Sequence, residues 1–160
     1  MVEFHLISYD FKEGEEIPKR FGYKHGNNRP HIGFGDVPIE TKTLALIMDD
    51  PDAMSAVGKI WVHWLKYHGV DNSTSSLTST ISGKTDFGEI GYGGPAPPDK
   101  RHTYVFKAYA LDVELDLNEG YSKQELEDAM KDHIIAEAKL TGTFVPVSYT
   151  HLTLPTSDLV

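Results

Sequence analysis

The chain has 160 residues, 39% hydrophobic and 24% charged, a length and balance that suit one soluble globular domain. Its formal net charge of −9 argues against broad surfaces for nucleic acid or anionic membrane, which need clustered Lys and Arg. Cysteine is absent, which excludes a disulfide framework and thiolate chemistry.

The opening stretch MVEFHLISYDFKEGEEIP lacks the basic-then-apolar pattern of a signal peptide. No apolar run reaches the roughly 18 residues of a membrane span. The protein is therefore expected to be cytosolic, with no stable membrane insertion. Residues 4–8 predict a first strand and residues 22–29 (GYKHGNNR) a turn. The run 43–48 (TLALIM) predicts a central strand buried on both faces. Residues 59–66 (KIWVHWLK) and 101–111 (RHTYVFKAYAL) predict two more strands, rich in aromatic and β-branched residues. Residues 71–94 read as a long loop with at most short strands. Ser122 and Glu125 form a capping-box pattern, and Leu126, Met130, Ile134 and Ala138 follow at helical spacing, which predicts one helix over residues 122–140.

The last stretch, residues 146–160 (PVSYTHLTLPTSDLV), shows no period. Its core VSYTHLTLPT resembles an in-frame translation of a transposon-type sequencing adapter. The expected division is thus a domain over residues 1–145 and a non-native tail over residues 146–160.

Three clusters could carry chemistry. Asp49-Asp50-Pro51-Asp52-Ala53 follows the central strand, and Pro51 pushes Asp50 out of the helical region, so a rigid turn presents carboxylates at the sheet edge. Taken alone, a turn with solvated acids is the commoner reading. His63 lies between Trp61 and Trp64, and strict alternation puts Trp61, His63 and Leu65 on one face. A histidine so placed is more often a hydrogen-bonded core residue than a ligand-binding one. Gly91-Tyr92-Gly93-Gly94-Pro95-Ala96-Pro97-Pro98 leads into Arg101-His102-Thr103-Tyr104. The glycines allow close backbone approach to a ligand, the prolines stiffen the loop, and His102 and Tyr104 share a strand face. Protonatable imidazoles, a phenol and a carboxylate that orients them suit a small oxyanion, with Asp50 holding a histidine in its cationic, donating form. No Walker loop, GxSxG elbow, HExxH or Cys/His zinc spacing is present.

These residues resemble the phosphatidylethanolamine-binding family, in its shorter bacterial and archaeal Raf-kinase-inhibitor-like branch. The matching motifs are Asp50-Pro51-Asp52-Ala53, Gly58, Val62-His63-Trp64, and Gly94-Pro95-Ala96-Pro97-Pro98 with His102 and Tyr104. The likeness runs from about the start of the chain to Phe144. It implies a mainly β fold, a β-sandwich with a large antiparallel sheet and peripheral helices. It also implies a pocket for phosphate-like anions, including phospholipid headgroups, at Asp50, Asp52, His63, Ala96, Pro97, His102 and Tyr104. No enzymatic activity, cofactor or metal is implied; regulation of a protein partner by inhibition and a homodimer stay open. Two positions depart from the pattern: Met54 stands where proline is frequent, and Thr103 where arginine is usual in the His-Arg-Tyr triplet. The competing readings are a hydrolase or lyase using His63 and His102 with Asp50 as orienter, and a divalent-metal site built from the same three side chains.

Overall fold

A computed structural model describes residues 3–71, 76–77 and 80–146; beyond Pro146, the expected tail lies outside the described residues. The elements in chain order are β1 (His5–Ile7), a 3-10 turn (Lys19–Phe21), β2 (Gly33–Gly35), β3 (Thr43–Asp50), α1 (Ala53–Val57), β4 (Trp61–Asp71), β5 (Ser76–Leu77), β6 (Ile81–Ser82), β7 (His102–Leu111), α2 (Lys123–Met130) and β8 (Ile134–Phe144). An antiparallel sheet runs β5-β4-β3-β7-β8, with β6 also pairing β4, and a small sheet pairs β1 with β2. This is a mainly β fold with peripheral helices. Among the described residues no helix is long and apolar enough to cross a membrane.

The apolar run of β3 sits between β4 and β7, and every residue of the strand is buried. Its alternation feeds two cores. Leu44, Leu46 and Met48 pack with Trp64, Phe106, Phe11 and Phe4 under the small sheet and the N-terminal segment. Ala45 and Ile47 pack with Leu65, Tyr67, Leu126 and Met130 under α2. The same period sends Asp49 to the α2 face, where it meets Lys107 Nζ at 3.1 Å and Lys123 Nζ at 3.0 Å. Asp50 is left on the opposite face. On β7 the alternation is complete: His102, Tyr104, Phe106, Ala108 and Ala110 are buried, and the residues between are half-buried.

The helix expected over residues 122–140 is only its first half. Ser122 Oγ accepts from the Glu125 amide at 3.0 Å and Glu125 Oε1 accepts from the Ser122 amide at 2.8 Å, so the capping box forms. Leu126 and Met130 dock on the sheet, and the helix stops there. Asp132 then takes a left-handed backbone conformation (φ 68°) and reverses the chain into β8, which pairs with β7 from Leu111↔Ile134 to His102↔Phe144. A spacing of four residues fits a helix, but it is also two strand periods, so Met130, Ile134 and Ala138 satisfied both. The free edge of β7 decided in favour of strand.

Candidate functional site

The site lies where β3 and β7 end on the face away from α2. Their ladder runs through Met48↔Phe106 and Asp49↔Val105, which puts Asp50 beside Tyr104 in the file above Met48 and Phe106. The acidic turn is not a solvated loop: β3 extends through Asp49 and Asp50, both buried, and α1 begins at Ala53. Asp52 ties the turn to β7 and is not among the residues lining the cavity. Its Oδ2 accepts from the Thr103 backbone amide at 2.8 Å, and its own amide donates to Asp50 Oδ1 at 3.0 Å. The link from turn to β7 thus uses Thr103 main chain, so the missing arginine side chain is not needed for it. Met54 lies on α1 and is exposed.

Histidine 63 breaks the expected alternation. The β3–β4 register pairs Met48 with Trp64 but Asp49 with Val62, so His63 is the extra residue of a bulge. Val62 and Leu65 both join the α2-side core, whereas Trp64 joins the other. His63 faces Tyr104 (ring centroids 5.1 Å apart, 79°) and Phe87 (5.5 Å, 68°). Leu65, expected beside it, is on the far face.

Gly93 and Gly94 are pressed closely by the scaffold itself. A Cβ on Gly93 would lie 2.5 Å from the Phe87 ring, and one on Gly94 would overlap the Phe21 carbonyl. The Gly94 amide donates to Asn27 Oδ1 at 2.7 Å, and the Gly93 amide to the His63 carbonyl at 2.8 Å. Gly94→Ala is accordingly expected to cost about 3 kcal/mol, the upper end for overpacking, because rigid backbone must move. Urea denaturation measures it, and a loss under about 1 kcal/mol would mean that the loop yields freely.

Asp50, His63, Ala96, His102 and Tyr104 line one cavity of about 220 Å³, together with Ala53, Ala56, Val57, Trp61, Phe87 and Pro98. Asp52 and Pro97 are not among its lining residues. Phe87 is held as a wall by stacking on Tyr23 at 3.9 Å, a contact that no local pattern in residues 71–94 announces.

The polar groups of the cavity are in unlike states. His63 Nδ1 lies 2.6 Å from the Gly93 carbonyl, which can only accept, so Nδ1 carries the proton. Burial pushes His63 down to about 4, against the support of the Gly93 and Gly94 backbone, so the ring is neutral. His102 Nδ1 meets Asp50 Oδ2 at 2.6 Å and His102 Nε2 meets Asp99 Oδ1 at 2.7 Å. Burial opposes charge on this ring too, but the bonds and charges of Asp50 and Asp99 outweigh it and raise its pKa. Both ring nitrogens of His102 thus face carboxylate oxygens, an arrangement that favours its imidazolium form. Burial raises Asp50 above the usual carboxylate range, though His102 pulls the other way. Asp99 is held low: burial is the largest single effect and raises it, but the bonds from His102 and the Lys100 amide, with the His102 charge, together outweigh it. On two cavity-lining residues a buried donor is unsatisfied: Tyr104 Oη and Trp61 Nε1 have no hydrogen-bond partner among the described residues. Asp50 and the Ala96 backbone influence the Tyr104 hydroxyl without reaching hydrogen-bond geometry, and burial raises its pKa.

Pattern reading missed Trp61, which lines the cavity, and Asp99, which is not among the lining residues but binds His102. Asp99 precedes His102 by three residues in a bend, where an acid usually reads as ordinary turn chemistry. Asp50 and Asp99 grip opposite nitrogens of one ring, so the three groups do not converge on a single ion. Among the described residues no group of three His, Cys, Asp or Glu side chains is arranged to hold a metal.

A β-sheet scaffold with a small, aromatic-walled cavity and a few convergent polar groups defines a ligand-binding domain. The family profile described as phosphatidylethanolamine-binding protein matches residues 7–145. A UPF0098 protein of Chlamydia muridarum is 41% identical over 146 residues, spanning 87% of this chain and 97% of the relative. The UPF0098 protein YbhB of Escherichia coli is 34% identical over 157 residues, spanning 87% and 98%. Among solved structures, the phosphatidylethanolamine-binding protein homologue CT736 of Chlamydia trachomatis superposes with a TM-score of 0.78 at 40% identity, covering 88% of this chain and 96% of that one. Escherichia coli YbcL superposes with a TM-score of 0.76 at 30% identity, covering 89% and 98%. The chain belongs to the phosphatidylethanolamine-binding protein family, among its bacterial and archaeal members.

Proposed function

We propose that this protein is a non-enzymatic binding module for a small ligand bearing a phosphate-like oxyanion, of the phospholipid-headgroup type. The observation that carries the reading is the pair of orphan donors, Tyr104 Oη and Trp61 Nε1, in the wall of a cavity that also holds the His102 cation. A buried donor without an acceptor costs roughly 1–3 kcal/mol, which a ligand oxygen relieves. The volume of about 220 Å³ suits a headgroup-sized molecule, and the apolar walls suit its carbon atoms.

Catalysis finds little support here. Among the described residues, no Ser, Thr, Cys or Lys lines the cavity to act as nucleophile. His63, with its pKa near 4, is a weak base at neutral pH.

Binding should follow the charge of His102. Against the opposing effect of burial, Asp50 and Asp99 raise its pKa above the ordinary histidine value, so the cation is lost as pH rises through that raised value. Calorimetric titration with phosphoethanolamine is expected to give at least about tenfold weaker binding at pH 9 than at pH 6. The phosphoryl group gains charge over this range, its second pKa being about 6, so weakening at high pH must originate in the protein. Affinity that holds or improves at pH 9 would rule out His102 as the anchor.

A further inference from the structure

We propose that Asp99 is a tethered occupant of the oxyanion position, so that the ligand binds by exchanging one anion for another. The proposal rests on the oxyanion reading above and deepens it.

Asp99 Oδ1 accepts from His102 Nε2 at 2.7 Å and from the Lys100 backbone amide at 2.9 Å. Two N–H groups therefore converge on a single oxygen position, as donors in an oxyanion site do, and that position already holds an oxygen. His102 has no other donor to offer, because Nδ1 is bound to Asp50 and the ring is fully buried. The two carboxylates on the ring differ in freedom. The Asp50 side chain is 4% exposed and fixed in the strand, whereas that of Asp99 is 42% exposed. Asp99 Oδ2 makes no hydrogen bond to the described residues, and the side chain can swing out without moving β7.

Charge leads to the same conclusion. Asp50, His102 and Asp99 together carry one net negative charge and no free N–H on the ring. An external anion joining them would meet repulsion and no His102 donor. With Asp99 swung out, the Asp50–His102 pair is neutral and Nε2–H is open. A tethered competitor has a millimolar or higher effective concentration, and the observed affinity is divided by the fraction of molecules in which it is displaced. A free monocarboxylate offers nothing that Asp99 lacks. A phosphoryl group brings more charge and further oxygens than a carboxylate. Asp99 would thus set specificity for phosphoryl ligands over carboxylates.

The test uses the full chain carrying Asp99→Ala or Asp99→Asn, titrated calorimetrically with phosphoethanolamine and with acetate at pH 6, in 50 mM and 500 mM NaCl. Both variants should bind phosphoethanolamine at least about tenfold more tightly than wild type at both salt concentrations, and acetate should become a measurable ligand of Asp99→Ala. Unchanged or weaker phosphoethanolamine binding would overturn the exchange. A gain that vanishes in 500 mM NaCl would also overturn it, since long-range repulsion is screened there and direct occupancy is not. If wild type binds and the variants merely match it, only the exchange falls. If no form binds phosphoethanolamine, the oxyanion reading falls and the exchange with it.

Discussion

His102→Ala is expected to destabilise the protein by about 3–5 kcal/mol at pH 7, the usual cost of stranding one member of a buried ion pair. The stranded group is Asp50, whose side chain is 4% exposed and meets His102 Nδ1 at 2.6 Å. It would retain only the Asp52 amide, at 3.0 Å. Asp99 suffers nothing comparable, because it already reaches solvent. The loss should shrink in acid. Asp50 titrates above the usual carboxylate range because it is buried, and without His102 it would rise further, so mild acid protonates and quiets it. In wild type the sign is opposite: His102, with a raised pKa, contributes stability present below pH 6.5 and lost as pH rises through its folded value. Urea denaturation of wild type, His102→Ala and Asp50→Asn/His102→Ala at pH 7 and 5 tests this. The double variant should recover much of the loss at pH 7, as coupled sites do. A single variant losing under about 1 kcal/mol would mean that water already serves Asp50.

Acid should attack the fold through His63. Its folded pKa is about 4 against an unfolded value near 6.5, because a buried ring already bound to the Gly93 carbonyl has no partner for a second proton. Between those values the unfolded chain takes up a proton that the folded one refuses. The stability contributed is whole above pH 6.5 and drains as pH falls through the window, reaching about 3 kcal/mol by pH 4. His68 acts in the same direction: burial, then the charge of Lys66, brings it to about 4. In His63→Gln an amide can still donate to Gly93 but does not titrate, so the slope of stability against pH between 6.5 and 4 should flatten. Equal slopes for wild type and variant would show that His63 is not the acid-sensitive group.

Local pattern carried much of this molecule. The apolar run at residues 43–48 announced a strand buried on both faces, and β3 is that strand, flanked by β4 and β7. The alternation of residues 101–111 put His102 and Tyr104 on one face, where they lie above Phe106. Ser122 and Glu125 announced a helix start, and the capping box forms there. These features depend on neighbours within a few positions, so backbone preference and burial period suffice to read them.

What only the tertiary structure decided depends on distant partners. The spacing from Met130 to Ala138 suits helix and strand alike, and the exposed edge of β7 made residues 134–144 a strand. A bulge against β3 turned His63 away from Leu65 and toward Tyr104, a choice of register between two strands that neither strand encodes alone. Gly93 and Gly94 are needed because Phe87 and the Phe21 backbone press on them, from segments 6 and 73 residues earlier in the chain. The division of labour between the two histidines was set in the same way. Asp50 and Asp99 hold His102 charged from opposite sides, while a single carbonyl leaves the buried His63 neutral. Residue type makes an imidazole available, but its charge belongs to whatever the fold packs around it.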